Sequence, residues 1–211
     1  MSAEVSKDDY LYQALPGKPG GPLLFLFHGT GGDEHQLVAL GRELASEAAI
    51  VSPRGDVSEH GAARFFRRAA EGVYDMGDLA RATGKMAGFI EAHVAAAKPS
   101  AVWGLGYSNG ANILASVVFA RPALFDAAVL MHPLIPFEPD VRGSLAGRRL
   151  LVTAGRRDPI CPPALTDRLL AYLRADGADV TVAWHEGGHE VRPNEIEAAR
   201  TFLGAPQVHG D

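Results

Sequence analysis

Six short apolar runs, each of strand length, alternate with longer segments of helical period. The runs are Leu23–Phe27, Ala49–Ser52 (stopped by Pro53), Ala101–Leu105, Ala127–Met131, Arg149–Thr153 and Asp179–Trp184. Between them the spacing predicts helices at Gln36–Ala48, with Leu37, Leu40 and Leu44 on one face, from Asp78 as a cap to about Ala97, and from about Asn109 to Ala120. Two more are expected at Pro163–Asp176 and Pro193–Leu203. Continuous rather than alternating apolar runs mark strands covered on both faces. Strand–helix alternation then implies right-handed crossovers and a doubly wound, mostly parallel α/β sheet of six to seven strands. Such sheets bind ligands at the carboxyl ends of their strands. The long segment Arg54–Gly77 has no clear period and exceeds an idle connection, so it is expected to shape a site.

The 211 residues suit one α/β domain over 1–211 and leave no room for a large cap domain. An apolar fraction of 47% is enough for a full core, and a net charge of −5 argues against a general nucleic-acid binder. With Cys161 as the single cysteine, no intramolecular disulfide can form, which fits a cytoplasmic setting. Residues Met1–Tyr10 carry Glu4, Asp8 and Asp9 and no apolar run, unlike a signal peptide. No run has the length of a membrane span, so membrane insertion is not expected.

The strongest chemical signal is Gly106-Tyr-Ser-Asn-Gly110, which directly follows a strand and opens a helix. It resembles the nucleophile elbow of the α/β-hydrolase fold, where small residues flanking a serine let the chain turn sharply and lift the hydroxyl above the sheet. The helix N-terminus behind it favours developing negative charge. A serine hydroxyl needs a base to take its proton. In that fold an acid and then a histidine follow, each past a later strand. Asp158 follows Arg149–Thr153, and His189 follows Asp179–Trp184. Asp140 has no clear strand before it, and Asp167 falls inside a helix. His185 lies closer to its strand, as a surface or packing residue, whereas Gly187 and Gly188 give His189 a flexible approach. His93 reads as solvated, and His132, just after a strand, as packing or as lining the site, with packing favoured. His28 reads as a support for the loop that follows it.

That loop, His28-Gly-Thr-Gly-Gly-Asp33, follows the first strand. Acyl transfer needs backbone donors for an oxyanion, one after the nucleophile and one in this loop. Asn109 and Thr30 are the candidates. The glycines match neither a dinucleotide fingerprint nor a phosphate loop, and no H-E-x-x-H or Cys/His cluster suggests a metal.

His28-Gly-Thr-Gly-Gly-Asp-Glu34, Ser52-Pro-Arg-Gly55, Arg64-Phe-Phe-Arg67, Gly106-Tyr-Ser-Asn-Gly-Ala-Asn112 and Gly187-Gly-His-Glu190 together resemble the small phospholipase/carboxylesterase family. The likeness runs from about Leu23 to Leu203. It implies hydrolysis of carboxylic esters or thioesters by Ser108, Asp158 and His189, with Thr30 and Asn109 as oxyanion donors and no cofactor. The related acyl-protein thioesterases usually carry Gln and Leu where this chain has Asn109 and Thr30. The Arg64–Arg67 run is closer to the bacterial carboxylesterase branch. The implied partner is a small-molecule ester, and a homodimer is left open. A non-catalytic binding protein of the same fold and a lactone or C–C hydrolase are the alternative readings.

For the pocket, Phe65 and Phe66 are candidates either for packing under the loop or for an apolar wall, and Ile160 for a contact beside the acid. Arg64, Arg67 and Arg68 could receive a carboxylate or be solvated, with solvation expected for at least two, and Cys161 is expected to be a small apolar neighbour. The expected site is a shallow open groove favouring acyl chains of about butyrate to hexanoate length.

Overall fold

The structure, a computed structural model, describes residues 6–141 and 144–205, so part of the acidic N-terminal stretch lies outside the described residues. The central sheet has seven strands: β1 (Tyr12–Leu15), β2 (Leu23–Phe27), β3 (Ala49–Pro53), β8 (Val102–Tyr107), β9 (Ala127–Met131), β10 (Arg149–Gly155) and β11 (Asp179–His185). Two hairpins, β4 (Val57–Glu59) with β5 (Ala62–Arg64) and β6 (Arg68–Ala70) with β7 (Val73–Tyr74), fill the long segment after β3. The sheet order is β1-β3-β2-β8-β9-β10-β11, with β1 antiparallel to β3 and every other pairing parallel. Six strands match the apolar runs. The seventh, β1, is a short edge strand whose Tyr-Gln-Ala-Leu has no distinguishing pattern; pairing with β3 creates it.

The apolar runs are continuous because both faces are covered. Leu23, Phe25 and Phe27 of β2 point into the layer formed with helices α2 (Met76–Ala97), α3 (Asn109–Ala120) and α4 (Pro163–Ala175). Leu24 and Leu26 point to the opposite layer, beneath α1 (Val38–Leu44) and α5 (Pro193–Gly204). No helix among the described residues is long and apolar enough to cross a membrane.

Three local expectations are corrected. Helix α1 is shorter than Gln36–Ala48, because the residues before it make other bonds. Asp33 accepts from the His35 N–H at 2.9 Å, and the Gln36 side chain accepts from the Gly29 N–H at 2.8 Å. Asp75, not Asp78, caps α2, accepting from the Asp78 N–H at 2.9 Å. Asp78 is buried in the first turn instead, where it accepts from the Arg67 N–H at 2.7 Å. His93, read as solvated, is buried among the rings of Tyr12, Phe25 and Phe89.

Candidate active site

The parallel strands end side by side along one edge, and the residue or loop after each contributes to a single cluster. Ser108 follows β8 with φ +53° and ψ −116°, a conformation L-residues rarely adopt. Its flanking glycines have a steric reason. A Cβ on Gly106 would lie 2.4 Å from the Gly110 carbonyl oxygen, and one on Gly110 would lie 1.9 Å from that of Phe27. The Ser108 N–H donates to the Met131 carbonyl at 2.9 Å, which pins the turn to β9.

Ser108 Oγ lies 2.9 Å from His189 Nε2, and His189 Nδ1 lies 2.7 Å from Asp158 Oδ2. The Tyr107 hydroxyl donates to the His189 carbonyl at 2.8 Å, with its ring beside the imidazole. Asp158 is buried, which alone would raise its carboxyl. The N–H of Cys161, the imidazoles of His132 and His189 and the N–H of Ile160 outweigh that and hold it below the ordinary aspartate range. Cys161 is itself buried. Burial pushes its thiol far up, and Sγ donates to the His132 carbonyl at 3.2 Å, so it is an inert neighbour.

Thr30 and Asn109 flank Ser108 in one cavity of about 230 Å³. Asn109 is the first residue of α3, where an N–H has no acceptor within the helix. The loop carrying Thr30 is tied down from several sides. His28 Nε2 accepts from the Gly55 N–H at 2.9 Å, which leaves its Nδ1–H for the Gly29 carbonyl at 2.7 Å. Gly31 donates to the Ala63 carbonyl at 2.9 Å, and Arg64 Nη1 donates to Thr30 Oγ1 at 2.6 Å. The Asn109 side chain accepts from the Phe65 N–H at 2.9 Å. The first hairpin is thus stitched to both candidate donors.

The cavity differs from the expected apolar groove. Phe65 and Phe66 are fully buried and do not line it; Phe65 packs on Phe27 and His28, and Phe66 on Tyr74. Arg64 and Arg68 line it instead, with Glu71, while Leu134 and Ile160 supply apolar surface. The expectation of two solvated arginines also fails. The Arg64 side chain is 2% exposed and that of Arg68 19%, against 61% for Arg67. Both cations are met by Glu59, half-buried Arg68 at 2.9 Å and buried Arg64 at 3.6 Å.

Three residues stand behind the site, of which the sequence reading missed Glu195 altogether and assigned no chemical role in the site to His132 or His185. His132, read as packing, follows β9 as Ser108 follows β8, and its Nδ1 lies 2.9 Å from Asp158 Oδ2. Glu195, on α5, is fully buried and meets both His132 and His185. Of the two readings of His185, surface or packing, burial leaves the second. Two signals were available. His132 occupies a strand end, and Glu195 falls on the same helical stripe as Ala199, Phe202 and Leu203.

No family model matches the chain. Over 182 residues it is 40% identical to the "Putative hydrolase MhqD" of Bacillus subtilis (strain 168), covering 85% of this chain and 91% of that protein. A solved protein of unknown function from Agrobacterium tumefaciens str. C58 is 59% identical, with a TM-score of 0.89 over 93% of this chain and 97% of that one. The Bacillus cereus carboxylesterase is 38% identical, with a TM-score of 0.86 over 90% and 92% of the two chains.

Proposed function

Because the chain belongs to the phospholipase/carboxylesterase family of α/β-hydrolases and is a hydrolase of the carboxylesterase kind, we propose that it cleaves small carboxylic esters or thioesters through an acyl-enzyme on Ser108. The carrying observation is the hydrogen-bonded chain Ser108–His189–Asp158, at 2.9 and 2.7 Å, opening on a cavity beside two backbone donors. His189 Nε2 takes the Ser108 proton as Oγ attacks the carbonyl carbon. The tetrahedral oxyanion is received by the N–H groups of Thr30 and Asn109. Collapse expels the alcohol or thiol, protonated by His189. Water, activated by the same imidazole, then releases the acid. Asp158 holds the imidazole with Nε2 facing serine and stabilises its cation.

The cavity favours a short acyl group. Leu134 and Ile160 can desolvate the first few methylenes, at roughly 0.8 kcal/mol each, but Arg64, Arg68 and Glu71 bound the remaining wall. Rates on p-nitrophenyl esters are expected to rise from acetate to about butyrate and then fall. A fluorophosphonate probe is expected to label the wild type once and Ser108→Ala not at all. An unlabelled wild type would identify a non-catalytic binding protein, and a steady rise through palmitate would contradict the small site.

A further inference from the structure

We propose that His132, Glu195 and His185 form a buried positioning relay behind Asp158, in which the His132 imidazolium shares the Asp158 carboxylate with His189 and so sets how strongly that carboxylate holds the catalytic imidazole. The proposal rests on the serine-hydrolase reading above.

Asp158 Oδ2 is shared by two imidazoles, His189 Nδ1 at 2.7 Å and His132 Nδ1 at 2.9 Å. His132 Nε2 lies 3.0 Å from Glu195 Oε1, an ion pair without good hydrogen-bond alignment. Glu195 Oε2 lies 3.2 Å from His185 Nε2. His132 and Glu195 are both 0% exposed. Thr153 Oγ1 and the Arg192 N–H complete the Glu195 carboxylate, at 2.5 and 2.6 Å. His132 is held at φ +53°, a conformation costly for a histidine and kept only where the surroundings impose it.

The protons can be counted. A neutral imidazole at 132 would aim a lone pair at one of two buried carboxylates, so the ring is protonated at both nitrogens. Burial pulls His132 down, but Glu195 and Asp158 outweigh it and hold its pKa above the ordinary histidine value. His185 is different. The Gly187 N–H donates to its Nδ1 at 2.9 Å, so its proton sits on Nε2, facing Glu195. The same assignment argues against a cation held by His132, His185 and Glu195, although their donor atoms converge. A metal needs a lone pair on His185 Nε2, where the proton is.

The groups facing His132 are Asp158, Glu195, His185, His189, Cys161 and the Tyr107 ring. The His132 ring thus places a cation beside the His189 ring, 5.1 Å away between centroids. Glu195 stands beyond it, against the far nitrogen. At rest, Asp158 and Glu195 against one imidazolium leave one negative charge. That charge is neutralised when His189 takes the serine proton. Without the His132 cation, Asp158 would hold a proton on His189 more strongly, leaving less free base at mildly acidic pH.

The test is the acidic limb of kcat/KM on p-nitrophenyl butyrate in three proteins: wild type, His132→Asn, and the double variant His132→Asn/Glu195→Gln. Asparagine can keep a donor near Asp158 without the charge, and the double variant avoids a lone buried glutamate. Both variants are expected to move the acidic limb up, His132→Asn by about one pH unit and the double variant by less because it also loses the Glu195 charge, with the double variant recovering most of any lost Tm. If Tm and rate fall but the limb stays put in the folded double variant, the relay is structural and the proposal is overturned. Stoichiometric zinc lost from the wild type with EDTA would overturn it too. A wild type that neither hydrolyses the ester nor labels with fluorophosphonate would instead overturn the underlying reading.

Discussion

At Asp158 one carboxylate takes four donors. Oδ1 accepts from the N–H groups of Ile160 and Cys161, at 2.8 and 2.9 Å, and Oδ2 from two imidazoles. In Asp158→Asn the amide NH2 must face one pair of donors whichever way it turns. The expected loss is about 10⁴-fold in kcat through misplacement of the His189 proton, with about 2–4 kcal/mol of stability lost through buried mismatch. Steady-state kinetics with denaturant unfolding checks both, and a variant keeping a tenth of wild-type activity would contradict the assignment. That Ser108, Asp158 and His189 come together could be read from the sequence because each follows a strand in the right order. Whether Phe65 and Phe66 wall the pocket or pack beneath the loop was not legible, because neighbouring side chains in an irregular segment have no period to say which way they point. Their burial follows from the neighbours the hairpin meets in space.

Among the elements, the hairpin β4–β5 makes contacts with the site that its sequence did not specify. It ends on Arg64, whose guanidinium donates to Thr30 Oγ1 at 2.6 Å and to the Phe66 carbonyl at 3.3 Å. Arg64→Met keeps much of the volume and removes these donors. Loosening Thr30 is expected to lower kcat by about 10–100-fold, with little change in KM, because the oxyanion forms only on the way to the intermediate. An unchanged kcat in a folded variant would show that the hairpin only packs. Helix α5 carries the same lesson. Its period marks a buried face of Ala199, Phe202 and Leu203, and Glu195 lies on that face. Only the strand ends opposite it explain how a carboxylate is tolerated there.

Across the whole molecule, the buried charges around the strand ends make stability depend on pH from two sides. Asp158 and Glu195 are held below their ordinary values of 3.8 and 4.5; for Glu195, burial opposes this but His132 and Thr153 prevail. Their contributions are present above those values and fade as pH falls through the lower folded ones. His132 is held above 6.5, so its contribution is present below 6.5 and fades as pH rises through its folded value. Tm is therefore expected to be highest between about pH 4.5 and 6.5. Scanning calorimetry across pH checks this, and the decline above that window is expected to flatten in His132→Asn. The sequence by itself determined the strand–helix alternation, the parallel sheet and the order of serine, acid and histidine, because each depends on local period or on residues adjacent in the chain. Only the tertiary structure decided which side chains surround Asp158, which arginines are buried and which face of each hairpin meets the site. Those contacts join residues as distant as Thr30 and Arg64, or His132 and Glu195, and sheet register and helix docking, not spacing along the chain, bring them within 3 Å.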